Sequence, residues 1–172
     1  MNHEGLFKIS PALWQSKRFN TLPSDDGRYL YLYFLTCEHQ SSAGCYRISD
    51  GYACDDLQWP EERYLKARSQ LITADLIAFD DDCLVVMICR WFKHNPPMNE
   101  KHLIGIERIL EKLPSTTIQN AALTALNEAW EALAAEKLAR AQRQQKTHHG
   151  LSNGLTGAIP DRLQTRFLSG QS

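Results

Sequence analysis

Within eighteen residues the chain places Cys37, His39, Cys45 and Cys54, side chains that zinc accepts as ligands. Their spacing, C-x-H-x5-C-x8-C, matches no usual zinc knuckle, and Cys37 and Cys54 fit helix core positions. The five cysteines (37, 45, 54, 83 and 89) are most simply small buried hydrophobes in a reducing compartment. Catalytic patterns are missing as well. The chain has no Gly-rich phosphate loop, no His-Glu pair at metal-ligand helical spacing and no Ser in a nucleophile elbow. Nothing fixes a mutual geometry between His94 and the acidic residues that a nuclease would need. The residue types therefore point to a binding protein, not an enzyme, with neither metal nor cofactor.

Three groups of side chains could bind. Placed at 100° steps, Arg63, Lys66, Gln70 and Thr73 fall on one helix face, and Tyr64, Leu65, Leu71 and Ile72 on the other. In a base-reading helix Arg can bridge the two acceptors of guanine and Gln can pair bidentately with adenine, although any solvated helix face looks similar. Arg90, Lys93, His94, Lys101 and His102 form a second cluster. The third is Lys137, Arg140, Arg143 and Lys146, followed by His148 and His149. It could serve as a phosphate-contacting arm, but cations favour a helix C-terminus in any case.

Charge distribution tempers the nucleic-acid reading. Residues 24–92 carry 6 Lys or Arg against 12 Asp or Glu, a balance of −6. Residues 1–23 carry +2 and residues 93–172 carry +3. A domain that grips phosphates is usually basic. The run Asp80–Asp81–Asp82 would be repelled from a DNA backbone by on the order of 1 kcal/mol per contact.

The elements that must position these residues follow from local signals. Ser10–Pro11 opens a short helix with Leu13, Trp14 and Phe19 as its buried anchors. Ser24–Asp25–Asp26 caps GRYLYLYFLTCEHQ, where the alternation in YLYLYFL would suit a strand but the acidic start and the length favour a helix; Gly44 then turns the chain into a strand, CYRI. Ser49 or Asp50 caps GYACDDLQW. Trp59–Pro60 makes a turn, with Pro60 at the first position of a helix that runs to about Thr73. Arg68 lands in the middle of its apolar face. LIAFD and CLVVMIC then flank the acidic tip as a β-hairpin. Strand, helix, helix, hairpin is the order of a winged helix-turn-helix.

Pro96–Pro97 forbids helix at that point. A helix from Met98 or Asn99 runs to about Leu113, and Thr116 or Thr117 caps a long one. In the long helix Leu123, Leu126, Trp130 and Leu133 recur at 3–4–3 spacing, a seam of two heptads that packs on its own domain or pairs with a second copy as a homodimer. The fold class expected is α+β, mainly α, with an N-terminal helical extension (1–23), a winged helix-turn-helix domain (24–92) and a helical C-terminal extension (93–146). Residues 147–172, rich in Gly and Ser, read as a flexible tail with one docking element around Arg162–Leu168. No window approaches 18 apolar residues and the N-terminus lacks a signal-peptide core, so a cytoplasmic protein without membrane contact is expected.

Over residues 7–115 the chain resembles a family. The stretches KISPALW, RYLYLYFLTCEH, GCYRISDGYACDDLQW, LIAFD, VVMICRWFKHNP and LEKLPS are similar to small winged-helix proteins of phages and prophages. These are related to the N-terminal domains of phage replication proteins and DnaD-like replisome organisers. The resemblance implies DNA binding, or assembly with a replication or regulatory protein, during replication initiation or its control. Arg68 stands where that class usually has Leu, and Asp75 where it commonly has Gly.

Overall fold

The computed structural model describes residues 9–154, with side chains described through Gln144. The side chains of Lys146, His148 and His149, and the whole of 155–172 with the docking element at Arg162–Leu168, lie outside the described residues. The chain divides into two compact units, Met1–Ala132 and Leu133–Ser172.

The first unit begins with a 3-10 turn, Pro11–Gln15, capped by the Ser10 hydroxyl, and a short helix α1 (Lys17–Asn20). Phe19 is fully buried there. Trp14, expected as an anchor, is 63% exposed. Its ring packs edge-on against Phe19, 5.5 Å between centroids, so Phe19 fills the core position and Trp14 only covers it. Helix α2 (Asp25–Thr36) starts at the Ser24 cap with two acidic residues in its first turn, as the macrodipole favours. It buries Leu30, Tyr31, Phe34 and Leu35.

Strand β1 (Cys45–Arg47), helices α3 (Asp50–Leu57) and α4 (Glu61–Thr73), and strands β2 (Ile77–Asp80) and β3 (Val85–Ile88) follow in that order. The strands form an antiparallel sheet in the order β1-β3-β2, with Tyr46 opposite Val86 and Phe79 opposite the same residue from the other side. The architecture is thus α+β and mainly helical.

Several expectations need correction. Pro60 is the N-cap of α4 (φ −68°, ψ 147°), one position earlier than expected. The buried face of α4 is Tyr64, Ala67, Arg68 and Leu71, while Leu65 and Ile72 are 37% and 43% exposed. The hairpin's second strand ends at Ile88. Arg90 turns left-handed (φ 62°), and Trp91–His94 forms a short helix, α5, anchored by buried Trp91 and Phe92. Helix α6 (Glu100–Leu110) starts at the Asn99 cap. Helix α7 runs Thr116–Gly154, past the tail boundary expected at 147. Ser115 supplies its cap, its Oγ accepting from the Ile118 N–H (3.2 Å). Ile118, Ala122 and Leu126 of α7 are buried in the first unit, with Leu123 packed against them.

Among the described residues four turns use positive φ without glycine: Gln58, Asp75, Leu84 and Arg90. At Asp75 this is the turn that follows α4, a left-handed position that Asp tolerates. Gly44 is different. At φ +65° it sits against Trp91, and a Cβ there would lie 2.2 Å from the indole ring.

Arg68 explains itself through partners. It is 8% exposed, its guanidinium 4.0 Å above the Phe79 ring. One nitrogen donates to Asp50 Oδ1 and the other to Asp81 Oδ1, each at 2.6 Å. One cation thereby joins the start of α3, the middle of α4 and the tip of the hairpin. A buried charge is tolerated only when paired, and this one is paired twice.

Two predictions follow from this packing, both checked by urea unfolding. Arg68→Ala should cost about 2–4 kcal/mol, since it strands Asp50 and opens a void, and Arg68→Leu should cost less because its side chain refills the space beside Phe79. Gly44→Ala should cost at least about 2 kcal/mol from left-handed strain and the clash with Trp91. Gly27→Ala should cost less, because its nearest obstacle is the end of the flexible Gln70 side chain.

Candidate nucleic-acid interface

Helix α4 presents Lys66 and Thr73 to solvent, as a reading helix would. Its other two expected contacts are engaged within the domain. Arg63 makes a bidentate pair with Asp26, Nε to Oδ2 at 2.9 Å and Nη2 to Oδ1 at 2.6 Å. The guanidinium also lies 4.2 Å from the Trp59 ring, which packs on Tyr29 at 5.7 Å. Gln70 Oε1 accepts from the Ser24 hydroxyl at 2.7 Å, at the start of α2. Gly27 permits this close approach of α2 to α4. Half of the expected reading face is therefore fastened to α2.

The surroundings are acidic. Asp55, Asp56, Glu61 and Glu62 are exposed on α3 and α4. Tyr33 donates its hydroxyl to Asp56 (2.8 Å) and Tyr52 to Glu38, a bond that pushes the Tyr52 hydroxyl up to about 12. The hairpin tip is acidic for structural reasons. Asp81 holds Arg68, and Asp80 accepts from Ser115 Oγ (2.5 Å) and from the backbone N–H groups of Asp82 and Cys83. The Ser115 bond, with the two backbone donors, holds the Asp80 carboxyl below its ordinary value.

Apart from Lys66, the expected cationic contacts without a described carboxylate partner lie away from α4. Arg90, Lys93 and His94 are exposed, and no described carboxylate pairs with them. Their backbone is held rigidly: Trp91 and Phe92 are buried, and Trp91 Nε1 donates to the Ser42 carbonyl at 2.9 Å. Lys101 is exposed, whereas His102 Nδ1 accepts from the Met98 N–H (3.2 Å). Sequence reading missed Arg18 of α1, which donates to the Asp75 carbonyl (2.8 Å) and pairs with the Asp75 carboxylate. No spacing pattern links residues 57 apart.

In the second unit Lys137, Arg140 and Arg143 are exposed on α7, with Arg140 paired to Glu136 at 2.6 Å. Of the expected dimerisation seam, Leu126 is fully buried within the first unit and Leu123 packs on the same core. Trp130 and Leu133 are half-buried. Among the described residues no group of three or more His, Cys, Asp or Glu is arranged to hold a metal ion. Burial pushes the Cys45 thiol up to about 12, so it packs as a neutral group. Among them too, no helix is long and apolar enough to cross a membrane.

Comparison of the chain with protein-family models, with curated proteins and with solved structures finds no match.

The Arg63–Asp26 pair has a titration signature. The Arg63 hydrogen bond holds Asp26 below its ordinary value of 3.8. A depressed carboxyl favours the fold above its unfolded value and loses that contribution as pH falls through its folded value. The Asp26 carboxyl resonance followed by NMR should titrate below 3.8 in the native chain and move back toward 3.8 in Arg63→Met. An unchanged midpoint would show that the two side chains do not interact in solution.

Proposed function

We propose that the protein is a winged-helix module of the phage-replication type that holds DNA through a basic flank, Arg90, Lys93 and His94, rather than through α4. The observation that carries this reading is the partition of charge. In the first unit the cations near the α3–α4 pair are largely spent, Arg63 on Asp26 and Arg68 on Asp50 and Asp81, while the flank after β3 stays unpaired. The winged-helix assignment is supported by the strand-helix-helix-hairpin order, the β1-β3-β2 sheet and the resemblance over residues 7–115. That resemblance also supports a role in replication initiation or its regulation, inside the cytoplasm. Lys137, Arg140 and Arg143 on the exposed part of α7 add phosphate contacts, and pairing of two copies through Trp130 and Leu133 would double them.

A second reading has its own observation. The ring pair of exposed Tyr29 and half-buried Trp59 belongs to α2 and the α3–α4 turn. Helices α2, α3 and α4 also carry the exposed carboxylates Asp25, Asp55, Glu61 and Glu62, a composition complementary to a basic protein segment such as one on an initiator or helicase loader. In that reading the domain is an adaptor without DNA contact.

Fluorescence anisotropy with labelled duplex and single-stranded DNA, between about 50 and 200 mM salt, separates the two. The DNA reading expects a steep negative slope of log affinity against log salt. Arg90→Ala/Lys93→Ala/His94→Ala should flatten it by about 2 and weaken binding at least tenfold. A truncation after Leu133 should flatten it further. Arg63→Ala/Lys66→Ala should stay within about twofold, since in this reading neither side chain contacts a phosphate. Absence of binding at about 50 mM salt would overturn the DNA reading and leave the adaptor.

A further inference from the structure

Directly beneath the basic flank lies a cavity of about 220 Å³. The segment Ser10–Arg18 forms one wall, α2 the floor, and the end of β3 with α5 the other wall. Its interior is apolar, lined by Leu13, Tyr31, Leu35, Ile88 and Trp91. Burial pushes the Tyr31 hydroxyl up to about 12, which leaves it a neutral donor at this floor. The rim is polar. Arg18 and Asp75 neutralise each other there through their ion pair. Arg90 and His94 line the same rim with no carboxylate of their own. Arg18, Cys89 and Arg90 all line the cavity.

A pocket with an apolar interior and a few convergent polar groups is the form that small-ligand sites take. Here the sign of the unpaired polar groups specifies the ligand. A cation would find Asp75, the one carboxylate among the described lining residues, already taken by Arg18. A neutral hydrocarbon would leave the guanidinium of Arg90 unused. We infer that this cavity binds a small organic anion with an apolar body, its carboxylate or sulfonate at Arg90 and His94 and its hydrocarbon against Leu13, Leu35 and Trp91.

The site has a consequence that rests on the DNA reading given above. Arg90 and His94 are also two of the three flank residues, so an anion seated on them competes with a phosphate for the same donors. The bound ligand then weakens DNA binding without any change of fold.

The test uses the full chain and 1-anilinonaphthalene-8-sulfonate, an aromatic anion that fluoresces in apolar surroundings. Saturable one-to-one binding is expected, displaced by octanoate and at least tenfold less well by octanol, which lacks the charge. Arg90→Ala should weaken the probe about tenfold. Ala12→Trp, which fills the cavity from its exposed rim, should abolish binding, and Ser16→Phe is a second filling variant should the first unfold. Octanoate should raise the melting temperature of the native chain and leave that of the filled variant unchanged, as linkage to a native-state site requires. Absence of saturable binding, equal displacement by octanol, or binding retained in both filled variants overturns the site. Octanoate added to the anisotropy assay reads the competition separately. If the probe binds and DNA does not, the site stands and the DNA reading falls. If both bind but octanoate leaves DNA affinity unchanged, the shared-residue competition is wrong.

Discussion

The double ion pair of Arg68 is the constraint around which the first unit is arranged. Taking a guanidinium out of water is costly, and the cost is offset only when its donors all find acceptors and its faces find partners. Asp50 and Asp81 supply the acceptors, and Phe79 covers one face. Because the carboxylates come from the start of α3 and from the hairpin tip, both elements must meet α4 at set distances. Asp80, one residue away, extends the arrangement to Ser115, which in turn caps α7. The polar chain thus runs from α3 to α7 through four residues, alongside the hydrophobic core and not within it.

This reorganises how the acidity of the domain is understood. The acidic hairpin looks, as a string of letters, like a surface charge that repels nucleic acid. In the folded chain Asp80 and Asp81 are structural acceptors, although Asp81, like Asp82, stays exposed. Likewise the cations of α4 are largely consumed by the fold: Arg63 by Asp26 and Trp59, Arg68 by its two carboxylates. What remains at the surface is the residue of this internal pairing. It is an acidic, aromatic surface around Trp59, and a separate cationic strip mounted on Trp91 and Phe92.

Much of the fold was legible because its signals are local. Ser24, Ser49 and Asn99 cap helices through their own side chains, and the strand-helix-helix-hairpin order follows from propensity and turn residues. What was misread depended on distant partners. Helical periodicity put Leu65 and Ile72 inside. The actual centre of packing is set by Ala67, small enough to be buried, and by Arg68, whose partners lie 18 and 13 residues away. The face of Arg63 and Gln70 was correctly grouped, but its engagement with Asp26 and Ser24 of α2 has no trace in the spacing. After the expected hairpin strand CLVVMIC, the left-handed turn at Arg90 and the short helix Trp91–His94 that it opens have no local signal of their own. Helix α7 outran its expected end because adding residues to an established helix costs little even through Thr147 and His148. Arg18 and the cavity beside it were invisible for the same reason as the Arg68 pairing: they are made by segments that meet only in the folded chain.

The four left-handed turns without glycine have an implication for how far this fold is from its own stability limit. Gln58, Asp75, Leu84 and Arg90 each hold a Cβ where the backbone would favour none, at roughly 1 kcal/mol or more apiece for the less tolerant side chains. Leu84, with no side-chain polar group to bond its own backbone, gains least in return. These residues stand at the junctions between α3 and α4, α4 and β2, β2 and β3, and β3 and α5. The architecture can therefore be made more heat-resistant without touching its core, through loop positions alone, and the native sequence operates below that ceiling.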